Sequence, residues 1–222
     1  MFKYIALLAL GVLATKVQAA KSFEVSVVSK DKKPVSDIVV YLTPKFVLPE
    51  GFAKNSTANE TIDQQGKKFA PYVSVVQKGQ SLHFNNKDDI THHIYSIGGE
   101  NRFEFKLKSG ETKHTQLMDG SEEIAMGCNI HDWMSGFVLV VDTPFYGKTN
   151  DAGIISFTLP QDGQYDVTIW HPQLDVDGNK KTYSVDTAKL GASPIYQVAL
   201  DKPMLPIPEQ KNQEEFDFLE EY

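Results

Sequence analysis

Apolar and polar residues alternate with a period of two along much of this chain, and no stretch sustains the 3.6-residue period of an amphipathic helix. Residues 22–28 (SFEVSVV) alternate in this way. Residues 30–34 read as a turn, and residues 37–42 (DIVVYL) as a second strand. Residues 44–59 are polar and irregular, which predicts a linker or long loop. Residues 70–77 and 80–84 read as strands on either side of a turn at Lys78-Gly79. Residues 103–108 (FEFKLK) alternate strictly, apolar inward and charged outward, and Ser109-Gly110 ends the run. Residues 137–141 (FVLVV) are continuously apolar, as expected of a buried strand. The pattern predicts an all-β chain.

Beyond Asp142 the spacing changes. Residues 149–153 read as a turn, 155–159 (ISFTL) as a strand, 160–163 as a turn and 165–170 (YDVTIW) as a strand. This resembles the second half of a small β-sandwich of the transthyretin or carboxypeptidase-regulatory type. The first half of that motif is similar to residues 21–42, where Lys33-Pro34-Val35 stands at the turn. The expectation is an accessory sandwich made of residues 21–45 and 143–202, with a domain of residues 60–142 inserted into it. The alternative is a sequential arrangement, because consecutive elements are usually neighbours. Residues 203–222 carry Pro203, Pro206 and Pro208, then six acids interleaved with Phe216, Phe218 and Tyr222. They read as an acidic, flexible tail or as a segment that docks a partner.

The chemistry concentrates in Cys128-Asn129-Ile130-His131-Asp132-Trp133-Met134. A thiol, an imidazole and a thioether follow one another at a spacing of three, and Cys128 is the only cysteine of the chain. It therefore has no intramolecular disulfide partner, and its alternatives are a metal, a reactive role or inert burial. Upstream stands Thr91-His92-His93-Ile94. One of these two histidines would complete a set of two imidazoles, one thiolate and a weak axial thioether. That is the ligand set of a mononuclear blue-copper site. Soft sulfur ligands stabilise Cu(I), and imidazole suits both copper states. Zinc also accepts one Cys and two His, but prefers a fourth strong ligand over a thioether.

Cys128-x-x-His131-x-x-Met134 resembles the ligand loop of the cupredoxins, with the short spacing of the amicyanin branch. Residues 82–86 (LHFNN) through 91–95 (THHIY) are similar to the strand and turn that supply the first histidine in that family. The whole chain also resembles periplasmic cupredoxin-domain proteins labelled methylamine-utilisation-like. The resemblance covers residues 60–142 best. It implies a Greek-key β-sandwich holding one copper ion, with His92 as the first ligand beside Cys128, His131 and Met134. It also implies electron transfer, with His131 as the exposed edge. Two positions depart from the family pattern. Asp132 replaces a frequent proline, and His93 stands where an asparagine usually ties the two ligand loops together. His93 is expected to reach Asn129 instead and support the ligands from outside.

Residues 1–20 read as a secretory signal: Lys3 is the positive start, residues 5–14 are apolar, and Val17-Gln18-Ala19-Ala20 offers small residues for cleavage. The apolar run is short for a membrane span, and no second one follows. The expectation is an exported, periplasmic, soluble protein. Loss of the segment removes Lys3 and Lys16 and no acid, moving the formal net charge from −7 to −9. That charge argues against nucleic acid, which demands clustered Lys and Arg. It suits ordinary solubility or a basic redox partner outside the cytoplasm.

The remaining candidates read as structural. His83, between Leu82 and Phe84, faces away from the core, and His114 lies in a polar stretch. His171 follows a strand of the accessory sandwich. Met126 competes with Met134 but shares a strand face with Cys128, a core position. Trp133 covers the site or packs at its rim. Nothing points to a hydrolase, and the ligand set makes the expectation an electron carrier and not an enzyme. The rivals are a copper carrier with the same ligands, an open copper position that reacts with a small molecule, and a structural sandwich with a vestigial site.

Overall fold

A computed structural model describes residues 21–52, 60–97, 99–191 and 195–211. The expected signal segment (1–20), part of the expected linker (53–59) and the end of the acidic tail with Phe216, Phe218 and Tyr222 lie outside the described residues. In chain order the strands are β1 Lys21–Val28, β2 Val39–Pro44, β3 Glu60–Gln64, β4 Phe69–Ala70, β5 Val73–Gln77, β6 Leu82–Asn86, β7 His92–Ile97 and β8 Glu104–Leu107. They continue with β9 Thr112–His114, β10 Glu123–Cys128, β11 Ser135–Val141, β12 Tyr146–Lys148, β13 Ile154–Leu159, β14 Gln164–Trp170, β15 Lys180–Asp186 and β16 Ile195–Ala199. The helical content among the described residues is two single 3-10 turns, Asp177–Asn179 and Thr187–Lys189. The chain is all-β.

Four sheets form two stacked sandwiches. The first encloses its core between the sheets β5-β11-β10-β7-β8 and β4-β3-β6-β9. Ile62, Leu82 and Phe84 from one sheet meet Ile94, Ile124, Met126, Cys128, Val138 and Val140 from the other. Successive strands cross between the two sheets (β5 to β6, β6 to β7, β9 to β10), the connectivity of a Greek-key sandwich. The second packs β13-β1-β16 against β12-β2-β14-β15 around Phe23, Val25, Leu42, Tyr165, Val167 and Val198. Here β1 pairs with β13 and β16, and β2 pairs with β12 and β14, so residues 21–44 ladder with strands that follow the first sandwich in sequence.

A third apolar cluster joins the two sandwiches: Val39 and Trp170 pack with Val73, Val75, Leu139 and Val141. This explains the continuous apolar run of β11. Val138 and Val140 face the first core, while Leu139 and Val141 face the neighbouring sandwich. Trp170 Nε1 donates a hydrogen bond to Glu123 Oε2 across the junction at 3.0 Å.

The strand pattern needed corrections at its polar parts. The run expected over residues 70–77 divides into β4 and β5, with Pro71 between them, because proline has no N–H to give to a ladder. The second strand is Val39–Pro44, two residues later than the pattern suggested. β9 (TKH, exposed throughout) and β15 (KKTYSVD) lie at sheet edges and carry almost no apolar alternation to reveal them.

Candidate metal centre

β10 ends at Cys128 and β11 begins at Ser135, so residues 129–134 form the loop between two paired strands. Met134 N donates to His131 O at 3.0 Å, which closes the loop into a tight turn. At Gly127, directly before the thiol, a β-carbon would lie 2.8 Å from the Tyr95 hydroxyl oxygen, so the glycine lets that ring lie across the strand. β7 runs antiparallel to β10 with Ile94 opposite Cys128. Opposite residues share a face, and so do residues two apart on one strand. His92 therefore lies on the Cys128 face of the sheet, and His93 on the other. The pleat separates two histidines that are adjacent in sequence.

His92, Cys128 and His131 converge: one ligand atom from each lies within 4.8 Å of the others. Cys128 Sγ is 3.7 Å from His92 Nδ1 and 3.8 Å from His131 Nδ1. A metal at ordinary imidazole and thiolate bond lengths, with angles between tetrahedral and trigonal, separates S from N by about 3.6–3.8 Å. The three side chains thus fit a first-row metal ion with both rings turned to it through Nδ1. They are buried: His92 keeps none of its surface, Cys128 2% and His131 8%. Met134 is 1% exposed and packs in the same cluster as Cys128. His131 is the more exposed ring of the two, less open than an exposed edge would be, and its neighbour Ile130 is 52% exposed. Burial, the largest cause, pushes the His131 imidazole below its usual range, which favours the unprotonated ring that ligation requires.

Asp88 is the functional neighbour that sequence reasoning missed. Its Oδ2 lies 2.9 Å from His92 Nε2, and its carboxylate accepts from Gly66 N at 2.6 Å and Lys67 N at 3.0 Å. Burial alone would raise this carboxyl. The hydrogen bonds from Lys67 N, the His92 ring and Gly66 N outweigh burial and hold it below the usual carboxylate range. An ionised Asp88 requires the His92 proton on Nε2, which leaves the Nδ1 lone pair facing the thiol. The available signal was an acid four residues before the histidine, in Asn86-Lys87-Asp88-Asp89.

On the opposite face His93 Nε2 meets Glu104 Oε1 at 2.9 Å, and His93 Nδ1 lies 3.3 Å from Asn129 Nδ2. Asn129 N also donates to His93 O at 2.9 Å. The pair ties β7 to the start of the ligand loop. Trp133 is half-buried against the first core, its ring 5.0 Å from that of His131. Met126 packs in the core, as its strand face suggested. His83 and His114 stand apart from the cluster on another sheet. His171 is buried behind Trp170 in the second sandwich.

No family model matches the sequence, and no curated protein matches it. Among solved structures, a copper-containing nitrite reductase from Thermus scotoductus is 23% identical over 45% of this chain, at TM-score 0.36; the chain spans 25% of that protein's length. A purple cupredoxin from Nitrosopumilus maritimus is 20% identical and covers 37% of this chain and 100% of its own, at TM-score 0.33. A reduced amicyanin variant is 19% identical, covering 46% of this chain and 99% of its own, at TM-score 0.34. All three are partial likenesses below a TM-score of 0.5, so the centre is read from its own residues.

Proposed function

We propose that this protein is an exported electron carrier that holds one copper ion at His92, Cys128 and His131, with Met134 as a weak fourth ligand. The observation that carries the reading is the convergence of one buried thiol and two buried imidazoles at metal-bridging distances. A bound copper ion supplies reversible one-electron chemistry, which this donor set tolerates in both oxidation states. Cys128 holds the thiolate. Asp88 orients His92, His93 with Asn129 braces the ligand loop, and the surrounding core keeps water away. Burial of every ligand favours retention of the ion over release to an acceptor, and so favours a shuttle over a copper carrier.

Residues 1–20 act as the export signal in this reading, and the protein works outside the cytoplasm. Its acidic balance suits a basic protein partner that docks near Ile130 and Trp133, where the ligand loop reaches the surface, and not nucleic acid. The copper unit comprises residues 60–142, and residues 21–45 with 143–202 form an accessory sandwich; the pairing of β1 and β2 with β12, β13, β14 and β16 supports that division. Residues 203–222 form an acidic tail. Among the described residues no helix is long and apolar enough to cross a membrane.

The test is the visible and EPR spectrum of the mature protein, prepared metal-free and titrated with Cu(II), beside Cys128→Ser. A thiolate-to-copper charge-transfer band that saturates at one equivalent and is absent from Cys128→Ser is expected. Absence of the band, or its survival in the variant, overturns the proposal.

A further inference from the structure

A second pair of imidazoles meets on the outer surface of the first sandwich. β6 and β9 are antiparallel neighbours with His83 directly opposite His114. Residues opposite one another in such a pair share a face, with β-carbons about 4.5–5.5 Å apart. Leu82 and Phe84 take the core side of β6, so His83 points outward. The two rings are in contact, their centroids 4.2 Å apart and their planes at 76°. His114 is exposed and His83 half-buried. Among the described residues neither ring makes a hydrogen bond or an ion pair.

Two unprotonated rings in contact keep lone pairs, whereas two protonated rings repel. Burial, then the charge on His114, lowers the proton affinity of His83. The strands hold the two β-carbons on a fixed register, so the backbone need not rearrange for both rings to reach one ion. The row that carries them reads Thr61, His83, His114 across β3, β6 and β9, with no carboxylate. Asp63, on the same face of β3 two residues from Thr61, is held by Asn85 Nδ2 at 3.0 Å and Lys87 Nζ at 2.6 Å. Calcium and magnesium demand oxygen ligands and find none engaged here. Imidazoles suit copper, nickel and zinc, and copper binds tightest in that series.

We propose that His83 and His114 form a second, solvent-facing metal site that chelates Cu(II) through both imidazoles, with water in the open positions. The site shares no residue with the buried centre, so it stands or falls separately from the electron-carrier reading.

The test is Cu(II) titration of the full mature chain, His83→Gln, His114→Gln and the double variant, each also in a Cys128→Ser background. Both side chains face solvent, and circular dichroism checks that each variant folds. One Cu(II) equivalent in the parent is expected to weaken at least tenfold in either single variant, with no further loss in the double variant. That non-additivity marks two ligands acting as one chelate. Its EPR signal is that of copper without a thiolate ligand, and Cys128→Ser retains it. Unchanged affinity in both single variants, or independent additive losses, overturns the site. As a check without substitution, Ni(II) added to the parent is expected to broaden the ring proton resonances of His83 and His114; broadening confined to other histidines overturns it too. Loss of the charge-transfer band alone concerns only the buried centre.

Discussion

Gln210 holds Ser135 from two sides: Ser135 N donates to Gln210 Oε1 at 3.0 Å, and Gln210 Nε2 donates to Ser135 Oγ at 2.9 Å. Ser135 opens β11 directly after Met134, so a segment leaving the second sandwich reaches the strand that follows the ligand loop of the first. On its way Leu205 N donates to Gln173 O at 2.9 Å. Gln210→Ala is expected to cost about 1–2 kcal/mol of stability in the metal-free protein, the worth of two partly buried hydrogen bonds. Chemical denaturation checks this, and a chain ending after residue 203 is expected to lose at least as much. A denaturation midpoint equal to that of the parent would show that the strap carries no load.

Asp88→Asn replaces the oxygen that fixes the His92 proton with a group that no longer dictates the tautomer. Copper affinity is expected to fall about 10–100-fold, the usual effect of losing such an outer carboxylate. Competition with a chelator of known affinity measures it, while the fold stays intact by circular dichroism. Unchanged affinity would mean that the Asp88–His92 contact leaves the ligand geometry untouched.

His171 gives the protein a defined acid sensitivity. Burial depresses its proton affinity, with a pKa pushed down to about 4, and Gln173 N donates to its Nδ1 at 3.1 Å, a bond that needs the ring unprotonated there. The unfolded chain takes up this proton near pH 6.5, the folded chain only near 4. The contribution is therefore fully present above pH 6.5 and is lost as pH falls towards 4, up to a ceiling on the order of 3 kcal/mol. Unfolding free energy measured from pH 7 to 4 is expected to fall less steeply in His171→Gln than in the parent. Parallel curves would assign the acid sensitivity elsewhere.

Trp170 and Glu123 couple the two sandwiches. Trp170→Phe keeps most of the apolar contact with Val73, Val75 and Leu139 but removes the 3.0 Å hydrogen bond to a carboxylate. The expected loss is about 1.5–3 kcal/mol, read by thermal or chemical unfolding. A loss confined to one of two separated transitions would show that the sandwiches unfold independently.

Much of this architecture was legible one strand at a time. The alternation of residues 22–28 and 103–108 marked β1 and β8, and the unbroken run 137–141 marked a buried strand, whose cover on both faces the packing revealed. The Cys128-His131-Met134 spacing placed three candidate ligands on one short loop before any strand pairing was known. The outward position of His83 and the core position of Met126 followed from parity alone. These are local quantities: period, spacing and residue chemistry are properties of a few consecutive residues. β9 and β15 escaped because their sequences, TKH and KKTYSVD, hold too few apolar residues for a pattern to form.

The tertiary structure decided what depends on partners distant in sequence. Which face His92 takes relative to Cys128 follows from the register of β7 on β10, which no single segment encodes. The contact between His83 and His114 needs β6 beside β9, and the Asp88 carboxylate becomes a partner of His92 only when the turn after β6 folds back over residues 66–67. Gln210 lies 75 residues from the serine it holds. The physical reason is common to all of these. The sequence by itself determines which groups are available and the face each takes on its own strand, whereas chemistry between side chains depends on distances of a few ångströms that only strand pairing and packing can set.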